Sequence, residues 1–208
     1  MIDIETLLTY GLVVIGLMLV PGPAVLLVLA RATSGGRQIG FATGLGIATG
    51  DLIHTIMATF GLSVILATSA LAFSLVKYAG VAYLVYLGVK AILEKSGPLT
   101  LSTARSIGMR QAFRQAVLAE ILNPKTALFF LAFLPQFVHP DNGPALLQFA
   151  ELGLVFVILS ILYTALIAIG AGAFGRWLAR HPGIGRWQGK VIGAVYLSLG
   201  ARLALQQR

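Results

Sequence analysis

The sequence predicts an all-α membrane protein with six transmembrane helices, built as two inverted three-helix repeats. The first observation is composition, because 58% of the 208 residues are hydrophobic and 11% are charged, against about 25% charged residues in soluble domains. The second is a series of apolar runs close to the roughly 20 residues that cross a bilayer. The third is a pair of matching proline motifs, one in each half of the chain.

Charge and cysteine content exclude several classes of function. The net charge is +8, but the basic residues fall in short clusters between apolar runs. Because no long basic stretch interleaved with aromatic residues exists, we expect no nucleic-acid partner. The sequence has no cysteine, which excludes disulfides, a thiol nucleophile and thiolate metal sites. We expect no cofactor and no bound metal.

The first repeat is expected at residues 1–93. Asp3 and Glu5 precede its first span, and no short apolar region with a small-residue cleavage site appears, so we expect no removable signal peptide. The second span is rich in small residues, and a short uncharged connection separates it from the third. The predicted spans cover residues 6–30, 41–66 and 75–93.

The second repeat is expected at residues 115–208, after a polar, basic cytoplasmic loop at residues 94–114. Gly97 and Pro98 act as helix breakers in this loop. The last span is the shortest apolar run of the six. The predicted spans cover residues 115–138, 146–174 and 191–205.

Lysine and arginine are concentrated in alternate connections. The first, third and fifth connections are basic, whereas the second and fourth have no basic residue apart from Lys77 at one edge. By the positive-inside rule, the basic connections lie in the cytoplasm. Six spans then place both termini on the outer side of the membrane.

Two helix-breaking motifs occupy matching positions in the two halves. Shifting the chain by 102 residues places Pro21-Gly22-Pro23 on Asn123-Pro124-Lys125. Shifting it by 113 residues places the Gly-x-x-Tyr-Leu motif of the third span on that of the sixth. Because each half has an odd number of spans, the halves run in opposite directions, which is the inverted repeat common in transporters.

The motifs lie at similar depths. At about 1.5 Å per residue, Gly22 lies roughly 13 Å from Arg31, whereas Asp51 and Lys125 lie roughly 15 to 16 Å from the cytoplasmic edge. Two broken helices and two opposite charges near the membrane midplane are typical of a substrate site built from discontinuous helices. The predicted substrate-binding residues are Pro21, Gly22, Pro23, Asp51, Asn123, Pro124 and Lys125.

Three polar residues within the predicted spans are candidates for proton coupling, and each has a structural alternative. An ionised Asp51 near the midplane needs a partner, a proton or a ligand, and a purely structural salt bridge to Lys125 is the alternative. Glu120 either lines the inner vestibule or a proton path, or pairs with Arg114 or Lys125. His54 shares a helical face with Asp51 and is either its proton partner or a histidine hydrogen-bonded inside the bundle.

Small and aromatic residues have less specific interpretations. Glycines in the second and sixth spans are expected to allow close helix packing. Tyrosines in the first, third and fifth spans are either membrane-interface anchors or parts of a pocket wall. The glycines are Gly40, Gly44, Gly46, Gly50, Gly189 and Gly193, and the tyrosines are Tyr10, Tyr83, Tyr86 and Tyr163.

The chain resembles the lysine-exporter and homoserine/threonine-resistance (LysE/RhtB) family. The resemblance rests on three motifs in order: Pro21-Gly22-Pro23, Gly46-x-x-x-Gly50-Asp51, and Asn123-Pro124-Lys125 followed by an aromatic run ending in Pro135-Gln136-Phe137. It covers essentially the whole chain. It implies an oligomeric exporter of amino acids or their derivatives in the bacterial inner membrane, driven by proton exchange. It does not imply roles for Glu120 or His54, and it leaves the substrate open.

The chemistry of the predicted site suits an amino acid. Lys125 and the helix beginning at Pro124 are expected to bind the carboxylate, and Asp51 with the carbonyls freed by the prolines is expected to bind the ammonium. Competition between a proton and substrate at Asp51 would give antiport. A non-transporting scaffold subunit and a membrane-embedded enzyme are the alternatives, although the sequence offers no nucleophile or metal cluster for catalysis.

Overall fold

The computed structural model describes residues 2–19, 22–64, 70–93 and 107–180, and residues 190, 193–194, 197–198, 200–201 and 204–205 nearer the C-terminus. The secondary structure of this part is entirely helical, which confirms the all-α prediction. Arg37–Leu62 and Ala145–Ala173 are each long and apolar enough to cross a membrane, and two bent helix pairs raise the number of candidate spans to four. The arrangement of six spans in two inverted repeats remains a prediction.

The first predicted span consists of two helices with a break between them. Helix α1 is Ile4–Leu19 and helix α2 is Pro23–Gly35, and their axes differ by 58°. Pro23 stands in the first turn of α2, where the missing N–H of a proline costs little because no helical acceptor awaits it. Pro21 lies outside the described residues.

The second predicted span begins four residues earlier than expected, and the third forms a longer helix than expected. Helix α3 is Arg37–Met57 and continues as a π-helical turn, Ala58–Leu62. Helix α4 is Ala70–Leu93, so the prediction of a connection up to residue 74 is wrong for its last five positions. Hydropathy marks the apolar stretch, whereas the polar Ser74 and small alanines extend the helix without breaking it.

The fourth predicted span is also broken. Helix α5 is Met109–Ile121 and helix α6 is Pro124–Leu128, followed by a π-helical turn, Phe129–Phe133, and a 3₁₀ turn, Leu134–Phe137. The axes before and after the break differ by 43°. The prediction of a loop at 94–114 is wrong for its last six residues, because α5 begins at Met109. The residue before it, Gly108, has an extended backbone and forms the N-cap.

Helix α7 is Ala145–Arg180. This helix continues six residues beyond Phe174, the predicted end of the span. Hydropathy predicts where the apolar part ends, but a helix can continue into a basic segment and keep its backbone hydrogen bonds. Seven of the fifteen residues of the sixth predicted span, and Gly189 just before it, lie outside the described residues.

Helix α3 packs between α5 and α7 on glycines. A Cβ atom at Gly50 would lie 2.5 Å from Cβ of Glu120 on α5, and one at Gly44 would lie 2.8 Å from the Thr164 hydroxyl on α7. Gly153 of α7 in turn faces Thr55. Near the C-terminus, a Cβ at Gly193 would lie 2.6 Å from the Gly88 carbonyl oxygen of α4. The close approach of α5 and α7 to α3 places Asp51 between them.

Hydrogen bonds define two ends of the helix bundle. At one, which we call the basic end, Arg31 donates to Gln115 at 2.9 Å. At the opposite, N-terminal end, Asn142 donates to Asp3 at 3.4 Å and the Ile2 amide donates to Glu151 at 3.4 Å. Hydrogen bonds from Thr6, chiefly from its backbone N–H, hold the pKa of Asp3 below its usual range. These contacts bring the first predicted connection and Gln115 together at one end, and the N-terminus and the fourth predicted connection together at the other.

Gly46→Ala tests the contact of α3 with α5. The added methyl group would meet the Phe113 carbonyl oxygen and lie 2.7 Å from Cβ of Ala116, and overpacking of this kind costs about 1–3 kcal/mol. We expect a lower thermal unfolding temperature in detergent. The matched control is Gly16→Ala, where nothing lies within 4 Å; equal stability of the two variants would contradict the packing.

Candidate functional site

A cavity lies where the two helix breaks meet. The space open to the centre of a water molecule is about 50 Å³, which is enough for several waters. Its wall includes Leu17 and Gly22 at the first break, four residues at the second (Glu120, Asn123, Lys125 and Thr126), and parts of α3 and α7. The polar side chains in the wall are those of Asp51, Glu120, Asn123, Lys125, Thr126, Ser160, Tyr163 and Thr164.

Lys125 connects the second break to the first. Its Nζ donates to the Leu17 carbonyl oxygen at 2.8 Å. In a continuous helix that carbonyl would accept from the residue four positions later, which is Pro21 and has no N–H. The Lys125 side chain crosses Gly22, where a Cβ atom would lie 3.3 Å from Lys125 Cδ. A lysine of one half thus satisfies a carbonyl that a proline of the other half leaves free.

Asn123 organises the second break. Its side-chain oxygen accepts from the Lys125 backbone N–H at 3.0 Å, which caps α6. Its amide nitrogen donates to both carboxylate oxygens of Glu120, at 3.1 and 3.2 Å. The Thr126 hydroxyl donates to the same carboxylate. The Glu120 side chain, 2% exposed, is therefore fixed at the cavity rather than in an inner vestibule.

Asp51 lies against the Glu120 carboxyl group. It is 1% exposed and accepts a hydrogen bond from Ser160 of α7 at 2.6 Å. Its carboxyl group also lies within hydrogen-bonding reach of that of Glu120. Two adjacent buried carboxyl groups form a site that can hold one proton between them. Sequence reasoning named Lys125 as the structural alternative partner of Asp51, and it missed Ser160.

His54 contacts a backbone group at this site. Its Nε2 lies 3.1 Å from the Glu120 carbonyl oxygen, and its ring stacks on Phe130 with centroids 5.8 Å apart. The ring is 4% exposed. This geometry agrees with the alternative of a histidine hydrogen-bonded inside the bundle, one that holds the C-terminus of α5 against α3.

The structure brings most of the predicted substrate residues together. Gly22, Asp51, Asn123 and Lys125 line the cavity. The exposed Pro23 and Pro124 instead begin α2 and α6 outside its described wall. Among the described residues, no group of three His, Cys, Asp or Glu side chains could hold a metal ion.

Several site residues were missed, and one signal could have found them. Ser160, Tyr163 and Thr164 are polar residues in an otherwise apolar stretch of α7, and all three line the cavity. Their spacing of three and four residues marks one helical face. Tyr163 is expected from the sequence to be an interface anchor or part of a pocket wall, and its place on this polar face confirms the second alternative. Tyr10, in contrast, is buried against Phe129 and Phe137 rather than at a membrane interface.

The structure is that of a helical membrane protein in which charged groups are buried beside two broken helices. Transporters build their substrate sites in this setting. A family model described as LysE type translocator matches residues 15–207. The chain therefore belongs to the LysE family, and it is a transporter rather than an enzyme.

Curated relatives match nearly the full length. The chain is 31% identical to an uncharacterized membrane protein of Vibrio cholerae, over 97% of this chain and 98% of the relative. It is 30% identical to one of Pseudomonas aeruginosa, over 94% and 93%. It is 28% identical to the leucine efflux protein of Salmonella typhimurium, over 96% and 94%. No solved structure gives a significant match.

Asn123→Ser and Asn123→Ala separate the two hydrogen-bonding roles of this side chain. Both remove the donor to Glu120, but serine still caps a helix, and losing a cap costs about 1 kcal/mol. We expect thermal stability to fall in the order wild type, serine, alanine. Identical unfolding temperatures for the two variants would contradict the capping role.

Proposed function

We propose that this protein exports neutral, apolar amino acids across the bacterial inner membrane in exchange for protons. The observation that carries the proposal is the cavity in which Lys125 and the buried carboxyl pair, Asp51 and Glu120, meet at the two helix breaks. A zwitterion needs one partner of each sign, and this cavity supplies both. A scaffold subunit would have no use for charges placed at such cost in a membrane.

Lys125 is the partner for the carboxylate. Its ammonium group has three donors, and the bond to the Leu17 carbonyl holds the side chain across Gly22, at the cavity wall. A charge-assisted hydrogen bond to a carboxylate, with N···O near 2.8 Å, is about twice as strong as a neutral one. Because every α-amino acid carries this carboxylate, Lys125 would bind the part that all substrates share.

The carboxyl pair is the partner for both the ammonium and the proton. With one proton held between them, Asp51 and Glu120 carry a single negative charge. A substrate ammonium favours loss of that proton, and a returning proton weakens the hold on the ammonium. Competition of this kind couples proton entry to amino-acid exit.

The remaining wall favours an apolar side chain. Leu17, Val25, Ile47 and Phe156 line the cavity beside the charged groups. A relative similar over nearly its whole length is named a leucine efflux protein. We therefore place leucine and amino acids of similar size and polarity first among the substrates.

We infer the orientation from the charge pattern of the connections and the assembly from the family resemblance. The basic end would face the cytoplasm, both termini would lie outside, and the protein would assemble as a homo-oligomer surrounded by membrane lipids. Val25, Ile47 and Thr164 line the cavity on the side of Asp51 nearer the basic end, which supports loading of the substrate from the cytoplasm.

Flux measurements with Asp51→Asn test the mechanism. We expect purified wild-type protein in proteoliposomes to move radiolabelled leucine faster when a proton gradient is imposed. The asparagine variant would keep substrate movement measurable but lose its dependence on the gradient, because an amide cannot share the exchanged proton with Glu120. Glu5→Gln, at an exposed carboxylate of α1, is the matched control. Full proton-driven exchange by the Asp51 variant would contradict this mechanism. Absence of flux for every amino acid with the wild-type protein would favour a scaffold subunit.

Lys125→Met and Lys125→Gln separate helix repair from substrate recognition. Glutamine keeps an N–H donor for the Leu17 carbonyl, whereas methionine leaves that carbonyl without it, at a cost of about 1–3 kcal/mol. We expect both variants to lose binding of all amino acids tested, and the methionine variant to unfold at a lower temperature. Lys90→Met, at an exposed lysine near the end of α4, is the control. Loss of binding for acidic amino acids alone would mean that Lys125 contacts a side chain instead.

A further inference from the structure

Two buried hydroxyl groups among the described residues have no hydrogen-bond partner. They are those of Tyr10 on α1 and Thr59 in the π-helical turn of α3. Tyr10 is 0% exposed and Thr59 is 6% exposed. Burying a hydroxyl group without a partner costs the desolvation free energy that water would have repaid. Phenylalanine or valine would fill the same space without that cost.

Thr59 differs from most other threonines of the described helices. In five of them the hydroxyl donates to the carbonyl four residues earlier, as is usual in helices. These are Thr33, Thr43, Thr49, Thr55 and Thr164. At Thr59 the helix has widened to π geometry, and the hydroxyl has no such bond. π-Helical turns are frequent at functional sites.

Tyr10 and the turn that carries Thr59 pack into one apolar cluster, which is rich in aromatic rings and includes Ile2 at the N-terminal end. The ring of Tyr10 contacts those of Phe129 and Phe137. Phe129 contacts Phe156, which lines the cavity, with centroids 5.1 Å apart. The turn Ala58–Leu62 packs against the turn Phe129–Phe133. We call this set the aromatic plug: Tyr10, Phe129, Phe130, Phe133, Phe137 and Phe156.

We propose that the hydroxyls of Tyr10 and Thr59 form a second, exit-side binding site for the carboxylate of the amino acid, exposed when the aromatic plug opens along the two π-helical turns. The inference rests on the proposed function and adds a site that the substrate occupies after leaving Lys125. Hydroxyl groups donate to a carboxylate, and the plug residues carry no charge. Binding there is therefore weaker than at Lys125, which suits a site of release.

The test uses Tyr10→Phe and Thr59→Val in the full-length protein. Each change removes an unpaired hydroxyl and keeps nearly the same shape. We expect unchanged leucine affinity at the cavity, an unfolding temperature at or above that of wild type, and at least a fivefold lower maximal rate of leucine efflux from proteoliposomes. Tyr86→Phe and Thr49→Val are the controls, because Tyr86 is 55% exposed and the Thr49 hydroxyl already bonds to the Leu45 carbonyl.

The outcomes separate this inference from the proposed function. Efflux by both variants within twofold of wild type, with wild type active, would refute the exit-side site alone. Lower stability together with lost leucine affinity would also refute it, because the hydroxyls would then support the closed structure. Wild-type protein that moves no amino acid would refute the proposed function and this inference with it.

Discussion

The hydrogen bond from Lys125 Nζ to the Leu17 carbonyl is the interaction on which the rest of the structure depends. Hydrocarbon offers no water to a carbonyl freed by proline, so the break at Pro21 needs a donor from elsewhere in the protein. That donor comes from the other half of the chain, immediately after the second break. Each broken helix therefore needs the other, and the two breaks must lie side by side.

Several neighbouring features follow from this contact. Gly22 leaves the space through which the lysine side chain passes. Asn123 caps the helix that carries Lys125 and binds Glu120 with its other end. Glu120 reaches Asp51 because Gly50 lets α5 approach α3. Opposite charges are thus brought into one small cavity by the same packing that repairs the backbone.

The sequence was sufficient for the features that hydropathy, proline and depth control. Composition predicts a helical membrane protein, and the prolines mark both breaks. Counting residues from the basic connections placed Gly22, Asp51 and Lys125 at one level, and all three line the cavity. The partners of Glu120 could not be predicted, because a count of helical rise does not show that the chain breaks after Ile121 and brings Asn123 and Thr126 beside the carboxyl group. The polar face of α7 could be found from residue spacing, but the hydrogen bond from Ser160 to Asp51 depends on how α7 faces α3, which one sequence does not encode locally.

The proposed mechanism requires that the Lys125 ammonium bind the carboxylate of the substrate. Solid-state NMR can measure it directly, through the dipolar coupling between ¹⁵N at Lys125 Nζ and leucine labelled with ¹³C at its carboxyl carbon, in lipid-reconstituted protein. We predict a separation of about 3.5 Å, as in a charge-assisted hydrogen bond. Bound leucine with no measurable coupling to Lys125 would contradict the claim and place the carboxylate elsewhere.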